Sequence, residues 1–264
     1  MKKINVVKYD TNWPNLFKIY ADEIEKTLGQ NCIKIYHVGS TSVPGLCAKP
    51  AIDIMCVVKN LNQAIFPLES IGYIGKGEFN LPMRLFFSRK ALHNVHIHVV
   101  KENSGEIEWN LCFQNYLRSN KKARDMYADV KNKLLLENPN GFKMVMDLFS
   151  EYTIKKGDVI LKIAKMANFS GYRFVMATNY NETKAYKKLM NLNEINFKDP
   201  NIFHLCLYKG TEIPAVACVE FSEDLSNFNI KDVQALNNEY KQIILEKIQE
   251  WAEFKLERNI LKLK

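Results

Sequence analysis

The residues best placed to do chemistry lie in one short stretch, His37-Val38-Gly39-Ser40-Thr41-Ser42-Val43-Pro44-Gly45-Leu46-Cys47-Ala48-Lys49-Pro50-Ala51-Ile52-Asp53-Ile54. An apolar run ends at a Gly-Ser-Thr turn, where backbone can approach a ligand closely and N–H groups can aim at an anion. Hydroxyls at Ser40, Thr41 and Ser42 add donors, and Lys49 adds positive charge. Asp53 then interrupts the apolar run Ala51–Val58, where an unpaired carboxylate would be costly. A bound Mg²⁺ (or Mn²⁺) would offset that cost, because hard oxygen donors suit such ions. The pattern points to phosphate on the turn and metal on Asp53, with Ser40 as a second oxygen donor. The blander reading makes Asp53 a structural aspartate paired with Lys49 or Arg84.

Further candidates lie downstream. In Asn94–Val100, Val95, Ile97 and Val99 alternate with Asn94, His96 and His98, so the two histidines share a face. They read as nitrogen ligands, as acid/base groups near neutrality, or as hydrogen-bonded residues of a half-buried strand. His37, at its strand end, either touches substrate or orients the turn. His93 reads as a turn residue. Arg118 and Lys131 fall on helical patterns that a solvated face explains about as well as a site does.

The elements that must hold these residues follow from periodicity. Trp13, Leu16, Phe17, Tyr20, Ile24 and Leu28 make a helical stripe, with Asn12 as cap, Pro14 in the first turn and Gly29 after the end. Strands are expected at Ile33–Val38, Ala51–Val58, Leu85–Ser88 and Asn94–Val100, and a helix over Asn62–Ser70. Helical patterns run from Trp109 to Ala167, broken at Asn138-Pro139-Asn140-Gly141. Asn168-Phe169-Ser170-Gly171 reads as a linker. Beyond it come a helix near Glu182–Met190, strands near His204–Tyr208 and Ala215–Phe221, and a closing helix over Glu239–Leu256. The expected division is 1–167 and 168–264.

Composition sets the outer bounds. The chain has 264 residues, of which 47% are hydrophobic and 25% charged, which excludes collagen, low-complexity and rod-like classes. No run of eighteen apolar residues occurs, and Lys8, Asp10 and Asn12 interrupt the stretch a signal peptide would need, so a cytoplasmic protein without a membrane span is expected. A net charge of +8 favours an anionic partner, but the basic residues are dispersed and give no strong nucleic-acid signal. Six cysteines without a CxxC pair suit a reducing compartment and argue against a zinc knuckle.

At this point the sequence resembles a known family. Tyr9-Asp10 with Trp13-Pro14, the His37–Leu46 run, Lys49-Pro50, Asp53, Gly72-Tyr73, Gly77-Glu78, Arg84 with Phe86-Phe87, and His96-Ile97-His98 are similar to the GrpB (UPF0157) family. So are Phe113, Tyr116-Leu117-Arg118, Ala123, Tyr127 and Lys131. The resemblance covers about residues 4–166. GrpB proteins are predicted nucleotidyltransferases of the polymerase-β-like superfamily, whose signature is a Gly-Ser turn followed by a strand bearing Asp-x-Asp or Asp-x-Glu.

The resemblance implies an α+β fold, a nucleotidyltransferase-like mixed sheet flanked by helices. It implies that Asp53, Lys49 and His98 act catalytically and that His37, Gly39, Ser40, Thr41, Arg84 and His96 bind substrate, with metal on Asp53 and Ser40. Lys49 or Arg84 would neutralise charge at the transferred phosphorus. The partners would be a nucleoside triphosphate and an unidentified acceptor. One departure stands out: the residue two after Asp53 is Met55, not a carboxylate. A non-catalytic nucleotide or phosphometabolite module, or an interaction scaffold, is therefore the alternative. The tail resembles, faintly, a degenerate GNAT acetyltransferase. Its late helix lacks the glycines that would cradle a pyrophosphate, and Gly210 is the last glycine. Substrate presentation or homo-oligomerisation is its expected role.

Overall fold

The computed structural model describes residues 1–90, 92–145 and 149–262. The chain forms two compact units, Met1–Phe79 with Arg84–Phe169, and Asn80–Met83 with Ser170–Lys264.

In the first unit, α1 (Trp13–Leu28) leads into β1 (Cys32–Val38), a single 3-10 turn at Ser40–Ser42, and β2 (Ala51–Val58). Then come α2 (Ile65–Ser70), β3 (Ile74–Gly75), β4 (Arg84–Lys90) and β5 (Asn94–Lys101). The sheet order is β1-β2-β5-β4-β3, antiparallel except for the central parallel pair β2/β5. Alternation along β2 and β5 sends Ile52, Ile54, Cys56, Val95, Ile97 and Val99, all 1% exposed or less, to one face. There α1 packs on β1 and β2, and its Trp13, Ile24 and Leu28 are buried. Pro14 fits the first turn of α1, where an N–H would be unused anyway. Gly29, at φ +52°, ends the helix.

The helical part follows: α3 (Gly105–Ser119), α4 (Lys121–Glu137), a small hairpin of β6 (Met144–Val145) and β7 (Phe149–Ser150), α5 (Glu151–Lys155) and α6 (Gly157–Met166). Ser104 caps α3 by accepting from Glu106 N–H at 3.4 Å, and Asn120 caps α4 by accepting from Ala123 N–H at 2.9 Å. Val43 and Leu46, from the loop after the turn, share a core with Leu117, Ala123, Tyr127, Val159 and Ile163. The turn is thereby held between sheet and helices.

The second unit is an antiparallel meander, in order β11-β10-β9-β8, made of β8 (Tyr172–Met176), β9 (Ile202–Lys209), β10 (Glu212–Phe221) and β11 (Phe228–Ala235). Helix α7 (Tyr180–Met190) meets one face through Tyr186 and Glu182, which approach His204, Cys206 and Tyr208. Helix α8 (Asn238–Lys262) meets the other through Trp251, which packs edge-on to Phe174, Phe203 and Phe221. The Asn179/Glu182 capping box starts α7. At the start of α8 the Asn237 side chain accepts Tyr240 N–H at 3.0 Å. The fold is thus mixed α+β with a mixed sheet and helices, followed by a second, antiparallel sheet. No helix among the described residues is long and apolar enough to cross a membrane.

Candidate functional site

The site is built on the other face of the first sheet. Parallel pairing sets Asp53 beside His96 and Met55 beside His98, while antiparallel pairing sets Phe86 opposite His98 and Val38 opposite Asp53. Asp53 therefore faces the same side as both histidines. Its Oδ1 accepts a hydrogen bond from His96 Nδ1 at 2.9 Å and lies 4.0 Å from His98 Nε2. Burial disfavours the charged carboxyl, but the bonds from His96 and His98 outweigh it and hold Asp53 ionised well below the usual carboxylate range.

The two imidazoles differ in what they can do. His98 Nδ1 accepts from Arg84 Nη1 at 2.8 Å, because a guanidinium can only donate. The ring proton of neutral His98 is therefore on Nε2, turned toward Asp53. Burial, opposed by the Asp53 hydrogen bond and reinforced by the Arg84 charge, lowers its pKa. His96 donates through Nδ1, so its Nε2 carries the lone pair. Burial works against protonation of His96, but the Asp53 bond and charge prevail and raise its pKa.

The turn lies directly over the carboxylate. Gly39 has φ +71° and ψ −171°, a region nearly closed to other residues. A Cβ there would come within 2.5 Å of Asp53 Oδ2, so the cradle closes only around glycine. Other side chains brace the turn. Ser42 Oγ donates to Gly39 O at 2.7 Å, and Arg118 donates to Ser42 O at 2.8 Å and 3.1 Å. Thr41 Oγ1 donates to Ala51 O at 3.2 Å and lies 3.0 Å from His37 Nε2. His37 stacks on Phe17 of α1, 4.7 Å between centroids, and burial, opposed by Asp53, pushes its pKa down to about 4. It is a neutral strut behind the turn.

Arg84, 5% exposed, is committed to the protein: besides His98 it donates to Glu78 O at 3.0 Å and 3.2 Å and to Phe79 O at 2.6 Å. It clamps the loop ahead of β4 to the sheet. Glu78 is buried and enters this clamp through its carbonyl. Met55, 1% exposed, packs with Val38, Val57 and Val100, so the face two residues beyond Asp53 is oily.

Lysines line the helical side. Lys131 of α4, 1% exposed, donates to Ser40 Oγ at 2.8 Å and Cys47 O at 2.7 Å, and its ammonium lies 4.3 Å from the centre of the Tyr127 ring. Lys49 and Lys156, the latter at the α5–α6 junction, lie 4.4 Å and 4.6 Å from the centre of the Tyr152 ring. Burial pushes Lys131 to about 7, with repulsion from Lys156 and Lys49 adding and Asp53 opposing. Lys49 falls to about 8 by burial and repulsion from Lys156 and Lys2, and Lys156 to about 8 by burial.

Sequence reasoning thus anticipated the pieces on strands and turn, Asp53, His96, His98, Gly39, Ser40, Thr41 and Lys49, which the fold brings to one place. Lys131, on a helical pattern that a solvated face explains about as well as a site does, joins them, as do Lys156 and Tyr152, which lie outside the motif. One signal was available: Ala123, Tyr127, Lys131 and Leu134 are spaced four, four and three apart, so Lys131 lies on the buried stripe of α4.

Among the described residues, no three His, Cys, Asp or Glu side chains form a ready-made metal nest. Asp53 offers one carboxylate, with Oδ1 taken by an imidazole and Oδ2 turned to Gly39. A single carboxylate suits at most one hydrated divalent cation and not a two-metal cluster.

Comparison with known proteins places this arrangement. A UPF0157 protein of Halalkalibacterium halodurans is 34% identical over 172 residues, 62% of this chain and 83% of that protein. YqkA of Bacillus subtilis is 30% identical over 145 residues, and this chain spans only 42% of it. The crystal structure of GrpB from Enterococcus faecalis overlays with a TM-score of 0.54 at 33% identity, covering 62% of this chain and 96% of that one. An RNA terminal U-transferase overlays far more loosely, at a TM-score of 0.30 and 14% identity over 48% of this chain. The family model described as GrpB protein matches residues 3–166, and over those residues the chain belongs to the GrpB family.

Proposed function

We propose that the first unit binds a nucleoside triphosphate with Mg²⁺ or Mn²⁺ at the Gly39–Thr41 turn and Asp53, and transfers a nucleotidyl group to an acceptor hydroxyl. The observation that carries this reading is the contact of the turn with the carboxylate. A Gly39 held open by its dihedrals, an ionised Asp53 beneath it and ammonium groups beside it place anion donors and a cation ligand at one point. A polyphosphate with its counter-ion would engage both at once.

The chemistry follows from the same atoms. Asp53 would hold the divalent ion, which when bound withdraws charge from the phosphate oxygens. The turn N–H groups and Lys49 orient the phosphates and stabilise charge built up in transfer. The acceptor oxygen forms a bond to the α-phosphorus, the bond to the bridging oxygen breaks, and pyrophosphate departs with that electron pair. Neutral His96, oriented by the Asp53 bond at Nδ1, would take the acceptor proton at Nε2. His98 and Arg84 act by position, fixing Asp53 and the loop ahead of β4.

The buried Met55 favours a second reading, a nucleotide- or phosphometabolite-binding module without turnover, since two-metal chemistry wants more than one acid. A thermal-shift panel of the four nucleoside triphosphates, with and without Mg²⁺ or Mn²⁺, separates them. A metal-dependent shift that Asp53→Asn removes supports the transferase reading. A metal-independent shift supports the binding module, and flat curves throughout would overturn both in favour of a scaffold.

A further inference from the structure

We propose that Lys131 and Lys156, together with Lys49, form a receptor for the distal phosphates of a linear polyphosphate chain, so that the site selects triphosphates over mono- and diphosphates. This deepens the reading above, on which it rests for the nucleotide but not for the polyphosphate.

The three lysines come from separate parts of the chain: the segment entering β2, the buried stripe of α4, and the junction of α5 and α6. Two tyrosine rings gather them. Lys49 and Lys156 both sit over Tyr152, at 4.4 Å and 4.6 Å, and Lys156 also approaches Tyr127 at 6.0 Å, the ring that carries Lys131 at 4.3 Å. Both rings are buried, Tyr152 at 1% and Tyr127 at 4% exposure, and against them Lys131 is buried while Lys49 and Lys156 are half-buried. The Asp53 carboxylate attracts all three, against the repulsion of the lysines for one another and of Lys2 for Lys49.

Three like charges against one carboxylate is a costly arrangement in the free protein. Cation–π contact returns only about 0.5–2 kcal/mol for each lysine. A lysine kept for packing would be better replaced by an apolar residue, and one kept for solubility would point outward. The cluster becomes favourable when an anion of several charges reaches it. Ser40 sets its position. Its Oγ accepts from Lys131 Nζ, and its neighbour Gly39 touches Asp53. Lys131 spends two of its three donors on Ser40 and Cys47, which leaves one for a ligand. The sequence of groups is therefore Asp53, the turn, Lys131, then Lys156 and Lys49 over Tyr152. A single phosphate at the turn would leave the far lysines unmatched, and a chain of phosphates would reach them.

Isothermal titration of the full chain with AMP, ADP, ATP and inorganic tripolyphosphate, each with Mg²⁺, tests this. Wild-type protein should bind the nucleotides in the order ATP over ADP over AMP and should bind tripolyphosphate. Lys156→Gln and Lys49→Gln should each weaken ATP and tripolyphosphate about tenfold, the scale of one lost charge contact in a half-buried site, with AMP changed less than about twofold. Lys156→Arg, which keeps the charge, should restore most of the preference, and melting of all three variants no lower than wild type shows that the fold is intact. A full ATP preference in both Gln variants, or no tripolyphosphate binding by wild type, overturns the receptor. If ATP binds no tighter than tripolyphosphate and Asp53→Asn changes nothing, while Lys156→Gln still weakens both, the receptor stands and the nucleotidyl-transfer reading falls.

Discussion

Replacing Gly39 by alanine probes the point where turn and carboxylate meet. Two costs arise. The backbone at φ +71° and ψ −171° is disfavoured for a residue with a Cβ, which costs about 1–3 kcal/mol. The new methyl would also sit 2.5 Å from Asp53 Oδ2, 3.0 Å from its Cβ and 3.1 Å from its Cγ. The carboxylate must move, and it is tied to His96; weakening a charge-assisted bond of this kind costs about 1.5–3 kcal/mol. The sum is about 2.5–6 kcal/mol, which at about 2–4 °C per kcal/mol for a unit of this size lowers its melting temperature by about 5–24 °C. Gly29→Ala is the control. Its φ is +52°, but nothing lies within 4 Å of the added methyl, so only the backbone cost applies. Differential scanning calorimetry of both variants, and of Gly39→Ala combined with Asp53→Ala, reads the clash directly. Removing the carboxylate should recover about 1–3 kcal/mol as coupling between the two sites. Equal losses for Gly39→Ala and Gly29→Ala, with no coupling to Asp53, would refute the contact.

Three more outcomes follow from the site. Lys131, Lys49 and Lys156 have folded pKa values of about 7, 8 and 8 against an ordinary 10.5, so the unfolded chain binds more protons across pH 7–10. Their shared contribution should make stability rise with pH in that window, by up to about 1.4 kcal/mol per pH unit for each group, and Lys131→Met should flatten the rise in urea titrations at pH 7, 8 and 9. In Asp53→Asn the term that raises the His96 pKa is lost and burial remains, so NMR titration of its imidazole in metal-free buffer should show a pKa lower than in wild type. Arg84→Lys keeps charge but loses the fork that spans Glu78 O, Phe79 O and His98, and urea unfolding should show a loss of about 2–4 kcal/mol.

Much of the fold was written locally. The stripe from Trp13 to Leu28, the alternation from Asn94 to Val100 and the apolar run from Ala51 to Val58 each carry the period of their element, and each forms as expected. The omissions have physical reasons. β8, Tyr172–Met176, is five residues long and directly follows a Gly-containing segment that reads as a linker. β11, Phe228–Ala235, is an edge strand with no fully buried residue, so its apolar signal is diluted. The hairpin of β6 and β7 is too short to have a period. Helix α3 begins at Gly105, ahead of the expected start at Trp109, because the Ser104 cap starts it. Strand residues of the site could be read because a period of two fixes their face. Lys156 and Tyr152 could not, since their position depends on how the helices after residue 105 return to the turn.

The lone parallel pairing in the first sheet has a bearing on how this protein can change. Asp53 and His96 meet because β2 and β5 run in the same direction in fixed register, while the connection between them crosses over by way of α2, β3 and β4. Lengthening the surface loops of that crossover leaves the encounter intact. A single residue added or lost within β5 itself turns both imidazoles into the oil beneath and lifts valines and isoleucine into their place. Natural variation among relatives should therefore collect in the loops before β4 and stop at Asn94, and laboratory insertions should obey the same boundary.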